Sequence, residues 1–192
     1  SLLLDAIGLY VVQLIVDDGE LASTPVTITL QSNPDAPLAL TVTVPTDGDA
    51  VNDPTPTVNG NVNHSATVTV NGQAASVAAD LTFSAPVILT EGANVLTVVA
   101  TDALNVSQTV VINVELDTQL PVLTWFIPTD GSATNQTIVG VTGNVDESAT
   151  LTINGAPILV DALLDFAGTT TLTEGLNTLT LVATDVAGNT TS

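Results

Sequence analysis

The chain of 192 residues contains no lysine and no arginine, against twenty aspartates and glutamates, for a formal charge of −20. That absence excludes nucleic-acid binding, which needs a basic footprint, and makes an anionic membrane surface repulsive. It also removes every trypsin-type cleavage site. Only His64 and the amino terminus can be cationic, so no carboxylate has a lysine or arginine partner within the chain. Packing against a second copy then needs screening salt, bound cations or a dominant apolar contact. Cysteine is absent, which excludes disulfides and thiolate metal sites but says little about compartment. Methionine is missing and aromatics number one Trp, one Tyr and three Phe, so each aromatic is weighed singly. No apolar run approaches the ~20 residues of a membrane-spanning helix, so no membrane insertion is expected. Ser1-Leu2-Leu3-Leu4 lacks the basic start of a signal peptide.

What is present is mainly Val, Leu, Ala, Thr and Ile. Hydrophobic residues make up 45% of the chain, enough to bury a core, and Thr and Val favour strands over helices. The order of these residues repeats. Pro45-Thr46-Asp47-Gly48 returns as Pro128-Thr129-Asp130-Gly131, an offset of 83 residues from Pro45 to Pro128. Gly60-Asn61-Val62 returns as Gly143-Asn144-Val145, Asn71-Gly72 as Asn154-Gly155, and Thr90-Glu91-Gly92 as Thr173-Glu174-Gly175. Ala100-Thr101-Asp102 returns as Ala183-Thr184-Asp185. A period kept in register over that length means one supersecondary unit copied in tandem.

Each copy reads as short alternating strands divided by turn residues. In the first copy Leu40-Thr41-Val42-Thr43-Val44 alternates and stops at Pro45, and Thr67-Val68-Thr69-Val70 runs into Asn71-Gly72, the strongest short hairpin signal. About seven strands with a turn every eight to twelve residues predict an all-β sandwich. The expected organisation is a hairpin segment at 1–34, a sandwich at 38–117, and a second at 121–192 that lacks its last strand. In the first segment Gly8-Leu9-Tyr10-Val11-Val12-Gln13-Leu14-Ile15-Val16-Asp17 is one strand. Tyr10, Val12, Leu14 and Val16 point one way, Val11 and Ile15 the other, and a strand apolar on both faces is normally covered on both.

Two readings of these ends stay open. The frame is a window of a longer array, or the amino-terminal strands of one subunit complete the carboxy-terminal sandwich of the next, a head-to-tail contact that builds filaments. On the second reading Tyr10, Val11, Val12, Leu14 and Ile15 make the self-assembly contact. Phe126, placed by alternation on the outer face, joins them, whereas Trp125, at the position of Val42, is expected in the core with Phe83 and Phe166.

Pro128-Thr129-Asp130-Gly131, Gly143-Asn144-Val145, Leu151-Thr152-Ile153-Asn154-Gly155, Leu172-Thr173-Glu174-Gly175-Leu176-Asn177 and Ala183-Thr184-Asp185-Val186-Ala187-Gly188-Asn189 resemble bacterial Ig-like repeats. They are most similar to the kind also found as an accessory domain of glucodextranase. The resemblance covers about 38–192, and residues 8–30 resemble the end of a PKD-type domain. Copy one departs from the pattern at Ala103-Leu104-Asn105, where the family has Ala-Gly-Asn. The resemblance implies tandem Ig-like sandwiches with an extra amino-terminal hairpin, in an extracellular stalk, adhesin or filament module, sometimes stiffened by calcium and without catalytic residues.

The residues themselves offer no catalytic set. His64 lies in the polar turn Asn63-His64-Ser65 and its counterpart is Glu147, so a solvated turn is expected there rather than a catalytic base. No phosphate loop or nucleophile elbow is present. Calcium is the better chemical reading, because a hard cation takes six to eight oxygens from carboxylates, amides and carbonyls. Loops of a sandwich alternate between its poles. The Asp47 and Glu91 turns of copy one should therefore meet the Asp146-Glu147 and Asp185–Asn189 turns of copy two across the linker residue Asp117. Glu91, Asp117, Asp146, Glu147 and Asp185 are the predicted calcium residues, although no contiguous Asp-x-Asp-x-Asp-Gly loop exists and no cofactor is otherwise required.

The expected role is structural: an extracellular protein of the bacterial cell surface, part of a filament or giant adhesin. Its partners would be copies of itself or neighbouring repeats of a longer chain. The alternative is a non-catalytic spacer of a secreted polysaccharide-degrading enzyme.

Overall fold

The computed structural model describes residues 8–17, 19–32 and 37–192, and the side chains of 11–17, 19–29 and 37–192. The fold is all-β: the described residues form strands and turns and no helix.

Strands β1 (Gly8–Leu14) and β2 (Val26–Ser32) pair antiparallel from Gly8 opposite Ser32 to Leu14 opposite Val26. The turn between them is tied by the Val16 N–H to Ser23 Oγ at 2.9 Å, by the Ser23 N–H to the Val16 carbonyl at 2.7 Å, and by the Gly19 N–H to Asp17 Oδ1 at 2.7 Å. Two strands alone cannot enclose a core. Val11, Val12, Leu14, Ile15, Val26 and Ile28 are all exposed.

The first sandwich joins two sheets. One orders β3 (Leu40–Val44), β5 (Thr57–Val62), β9 (Thr82–Pro86) and β8 (Ser76–Val77). The other orders β4 (Asp49–Val51), β11 (Ser107–Leu116), β10 (Gly92–Asp102), β6 (Ala66–Val70) and β7 (Gln73–Ala74). Alternation decides what is inside, because successive side chains of a strand face opposite sides. Val58, Val68, Val70, Leu96, Val98, Ile112, Val114 and Leu116 point inward and are buried, while the Thr and Asn between them stay at or near the surface.

The second sandwich repeats this plan with β12 (Leu123–Ile127), β13 (Ile138–Val145) and β16 (Asp165–Thr171) in one sheet. The other holds β15 (Ala156–Ile158), β14 (Ala149–Ile153), β17 (Leu181–Asp185) and β18 (Thr190–Thr191). The correspondence extends to details. The edge strands β3 and β12 carry a register shift at the same place, between Val42 and Val44 and between Trp125 and Ile127. Asn71 and Gly72 sit at φ +48° and +79°, Asn154 and Gly155 at +48° and +82°, the left-handed pair that a type I′ hairpin requires. Each Asn side chain then continues the ladder: Asn71 Oδ1 accepts the Thr97 N–H and Asn154 Oδ1 the Thr180 N–H, both at 2.9 Å.

Gly60 faces Phe83 and Gly143 faces Phe166 across neighbouring strands. A Cβ at either glycine would collide with the ring and with the carbonyl of Thr41 or Thr124. Each phenyl ring is buried against the bare backbone of its glycine, an approach that a side chain at that position would block.

The two sandwiches differ at one edge. In copy one the whole of Gly92–Asp102 is strand, paired to β11 from Gly92 opposite Leu116 to Thr101 opposite Ser107. In copy two only Leu181–Asp185 is strand, and residues 175–180 have no neighbouring strand among the described residues. A groove of about 630 Å³ lies there, lined by Leu120, Pro121, Val122, Leu123, Trp125 and Leu179 among others. It occupies the place that Ile112, Val114 and Leu116 fill in copy one. Trp125 departs from its expected core position: it is 36% exposed at the groove wall, where no strand of the described residues covers it.

Candidate functional site at the junction between the sandwiches

The linker 117–122 is short, and both of its ends are fastened. The Asp117 N–H donates to the Val51 carbonyl at 3.0 Å, extending copy one's edge by one residue. The Thr118 N–H and hydroxyl donate to Glu91 Oε1 and Oε2 at 3.1 and 2.9 Å. At the far end the Val122 N–H donates to Asp146 Oδ1 at 2.7 Å, and the Asp146 N–H to the Val122 carbonyl at 3.2 Å. A sixth tie spans the junction: Asn189 Nδ2 donates to the Asp117 carbonyl at 2.7 Å. Pro121 is fully buried between these anchors.

Against this frame lie Asp117, Glu147 and Asp185, each offering a carboxylate oxygen within 4.8 Å of the others. Asp185 is the buried member. Its Oδ1 accepts the Gly188 and Asn189 N–H groups at 2.7 and 2.8 Å, closing the turn after β17, and its Oδ2 accepts Asn189 Nδ2 at 2.8 Å. Burial pushes its carboxyl up, but the bonds from Asn189 and the turn amides outweigh it and hold the group below the ordinary 3.8. Asp185 is therefore a fixed anion. Glu147 shifts the other way, raised above the ordinary 4.5 first by burial and then by the charges of Asp117, Asp185 and Asp146. The site holds one locked carboxylate and one whose ionisation its neighbours oppose.

Of the five predicted calcium residues, the fold thus brings Asp117, Glu147 and Asp185 together. It spends Glu91 and Asp146 on the linker amides, where they act as clamps. Asp47 is likewise occupied within copy one, accepting the Asn113 backbone and side-chain N–H at 2.8 and 2.9 Å. Asn189 carries more than its place at the end of a turn announced, since it alone bridges turn, anion and linker. The signal was the Asn of Ala187-Gly188-Asn189; at the 83-residue offset its counterpart is Val106, so the segment of copy one that corresponds is Leu104-Asn105-Val106, one residue later than the sequence pattern set it.

The same architecture recurs at the leading pole of copy one with different chemistry. Asp102 Oδ1 accepts the Leu104 and Val106 N–H groups at 2.8 and 2.9 Å, matching Asp185. His64 stands at the position of Glu147, and its Nε2 lies 3.5 Å from Asp102 Oδ2. Its side chain is only 15% exposed, while Asn63 and Ser65 on either side of it are exposed, as expected for a solvated turn. Beside it, Asn63 ties this turn to the start of the sandwich: its Oδ1 accepts the Ala39 N–H and its Nδ2 donates to the Pro37 carbonyl, each at 2.8 Å.

The predicted contact residues Val11, Val12, Leu14 and Ile15 are exposed on the hairpin and Phe126 on β12. The side chain of Tyr10 lies outside those described.

Comparison with known proteins agrees with this architecture. Over 159 residues the chain is 36% identical to bacillopeptidase F of Bacillus subtilis (strain 168), a match that takes in 79% of the chain and 11% of that protein. The chain thus spans about a tenth of the length of this curated relative. Among solved structures, the fibronectin(III)-like modules of Clostridium thermocellum CbhA superpose with a TM-score of 0.55 at 14% identity, covering 80% of this chain and 90% of theirs. That likeness is one of fold. Residues 38–118 and 121–192 each match the family described as glucodextranase, domain B, and the chain belongs to that family, in two tandem copies.

Proposed function

We propose that this chain is a non-catalytic spacer region of a longer extracellular protein, its two Ig-like sandwiches held end to end by a calcium-binding junction. The observation that carries the reading is the fastened linker beside Asp117, Glu147 and Asp185. Family membership supports an accessory role, and the match to about a tenth of bacillopeptidase F favours a piece of a larger secreted enzyme over a filament subunit.

The physical case for an ion is one of charge. Two like charges under 5 Å apart repel by roughly 3 kcal/mol at an effective dielectric of about 20, and the chain has no lysine or arginine to offset them. Oxygens bound to one calcium sit ~2.3–2.6 Å from it, hence up to about 5 Å from each other, which is the spacing present.

The test is calcium titration followed by small-angle scattering. Calcium should raise the melting temperature of the second sandwich and narrow the distance distribution between the two. EDTA should reverse both. A chain indifferent to calcium in both readouts refutes the calcium junction.

A further inference from the structure

The step Asn-Gly occurs three times in the chain, at Asn59-Gly60, Asn71-Gly72 and Asn154-Gly155. The fold puts the three in two different settings. Asn59-Gly60 lies inside β5 with a strand on each side: Gly60 is buried, opposite Val42 of β3 and Phe83 of β9. The Asn59 amide donates to the Thr57 carbonyl at 3.3 Å. Asn71-Gly72 and Asn154-Gly155 are instead the central residues of two exposed hairpin turns, closed by the pairs Val70 with Gln73 and Ile153 with Ala156. A Cβ built at Gly72 or Gly155 would meet nothing within 4 Å, so both turns stand in open space.

Both turns expose the groups that react when an asparagine side chain is attacked by the backbone nitrogen of the next residue. The Gly72 and Gly155 N–H groups donate to no backbone carbonyl of their turns, and no β carbon shields them. The leaving group of such an attack is Nδ2. Asn71 and Asn154 do not spend that atom on the fold; each uses Oδ1, which accepts the Thr97 or Thr180 N–H at 2.9 Å. A donor thus already points at the oxygen on which negative charge would develop. Nucleophile and carbonyl belong to adjacent residues, so their encounter is intramolecular.

We propose that Asn71 and Asn154 are sites of spontaneous deamidation, and that its strand shields Asn59 from the same reaction. The glycine nitrogen gives its proton to solvent and bonds to the asparagine Cγ. The Cγ–Nδ2 bond breaks, Nδ2 takes up a proton and leaves as ammonia, and a cyclic succinimide remains. Water then opens the ring at one carbonyl or the other, giving aspartate or isoaspartate. Nothing is oxidised or reduced, and water is the one co-reactant. Each conversion replaces a neutral amide with a carboxylate and so adds to the formal charge of −20. Isoaspartate also lengthens the main chain of a turn whose two residues must both be left-handed, so the modified hairpin loses its tight closure. The inference is independent of the calcium reading.

Ageing the full chain in mildly alkaline buffer, folded and in urea, tests it without any variant that could misfold. The chain offers trypsin no site, so thermolysin peptides are read by mass spectrometry, and isoaspartate is labelled with an isoaspartyl methyltransferase. In the folded chain Asn71 and Asn154 should convert, with isoaspartate among the products. Asn59 should lag them at least about tenfold, because β5 must open before Gly60 can attack. In urea the three should convert at similar rates, since the shielding belongs to the fold. If Asn71 and Asn154 of the folded chain stay as intact as Asn59 while all three react in urea, the turns protect as well as the strand does and the proposal is overturned. Equal conversion of all three in the folded chain overturns the shielding of Asn59. Aspartate without isoaspartate at the turns excludes the succinimide and overturns the attack by glycine.

Discussion

Replacing Gly143 by alanine isolates the packing argument that runs through both sandwiches. The added methyl would meet the Phe166 ring and the Thr124 carbonyl on the neighbouring strand. The ring can tilt only by displacing a filled core, since Phe166 is buried among Val141, Val145, Leu151 and Ala183. The carbonyl belongs to the strand backbone and cannot step aside. Overpacking of this kind costs about 1–3 kcal/mol, and the backbone clash puts it at the upper end. Alanine recovers roughly 0.5–1 kcal/mol by restricting the unfolded chain. The net loss is about 2 kcal/mol, or roughly 10 °C for a domain of this size. Thermal unfolding followed by Trp125 fluorescence reads it. Gly140→Ala, on the same strand but with open space at its Cβ, should leave the melting temperature unchanged or slightly higher. Trimming the ring with Phe166→Leu in the Gly143→Ala background should recover part of the loss. Equal melting temperatures for Gly143→Ala and Gly140→Ala would refute the reasoning, because the strand would then be yielding freely.

Three further outcomes follow from the geometry. Asn189→Ala strips the Asp117 carbonyl and Asp185 Oδ2 of a donor, costing about 1–3 kcal/mol at groups shielded from water, and should speed thermolysin cleavage near the exposed Leu120. The junction should respond to pH in two opposite phases when no divalent ion is present. Glu147 is raised, so its ionised form burdens the fold above the ordinary 4.5, and acidifying from neutral toward pH 5 should stabilise the second sandwich. Asp185, Asp102, Asp47, Asp49 and Asp80 are lowered, so their contribution is present above the ordinary 3.8 and is lost as pH falls below it. Glu147→Gln should abolish the first phase and leave the second, and a melting profile with only the acid phase in wild type would count against the Glu147 environment. Finally, trypsin should leave the chain uncut even in urea, while thermolysin should not; a tryptic fragment would contradict the composition itself.

Much of the fold was legible because strands announce themselves by alternation. Val68 and Val70 are spaced by two across Thr69, as Leu151 and Ile153 are across Thr152, and Asn71-Gly72 leaves its chain little choice but a tight left-handed turn. The Trp125 assignment failed for a reason alternation cannot contain: its inward direction was read correctly, but burial also needs a strand across the groove. The turn at His64 was read as solvated from its polar neighbours, and Asn63 and Ser65 are exposed, but the contact of His64 with Asp102 joins residues far apart in the chain. The five-carboxylate junction was legible as a region and not as a site, since sequence shows that acidic turns meet but not which amides they satisfy.

The sequence by itself determined the repeat, the strand content, the sandwich class and the imbalance of charge, because these depend on local residue spacing and on sums over the chain. Tertiary structure decided which charges confront one another. Asp117, Glu147 and Asp185 lie on a linker and two separate turns, and they converge only when two sandwiches are stacked through a linker fixed at both ends. Glu91 and Asp146 are drawn out of that group by backbone N–H groups that exist only in the folded linker. The same placement sets His64 against Asp102 at one pole and Glu147 near Asp185 at the other.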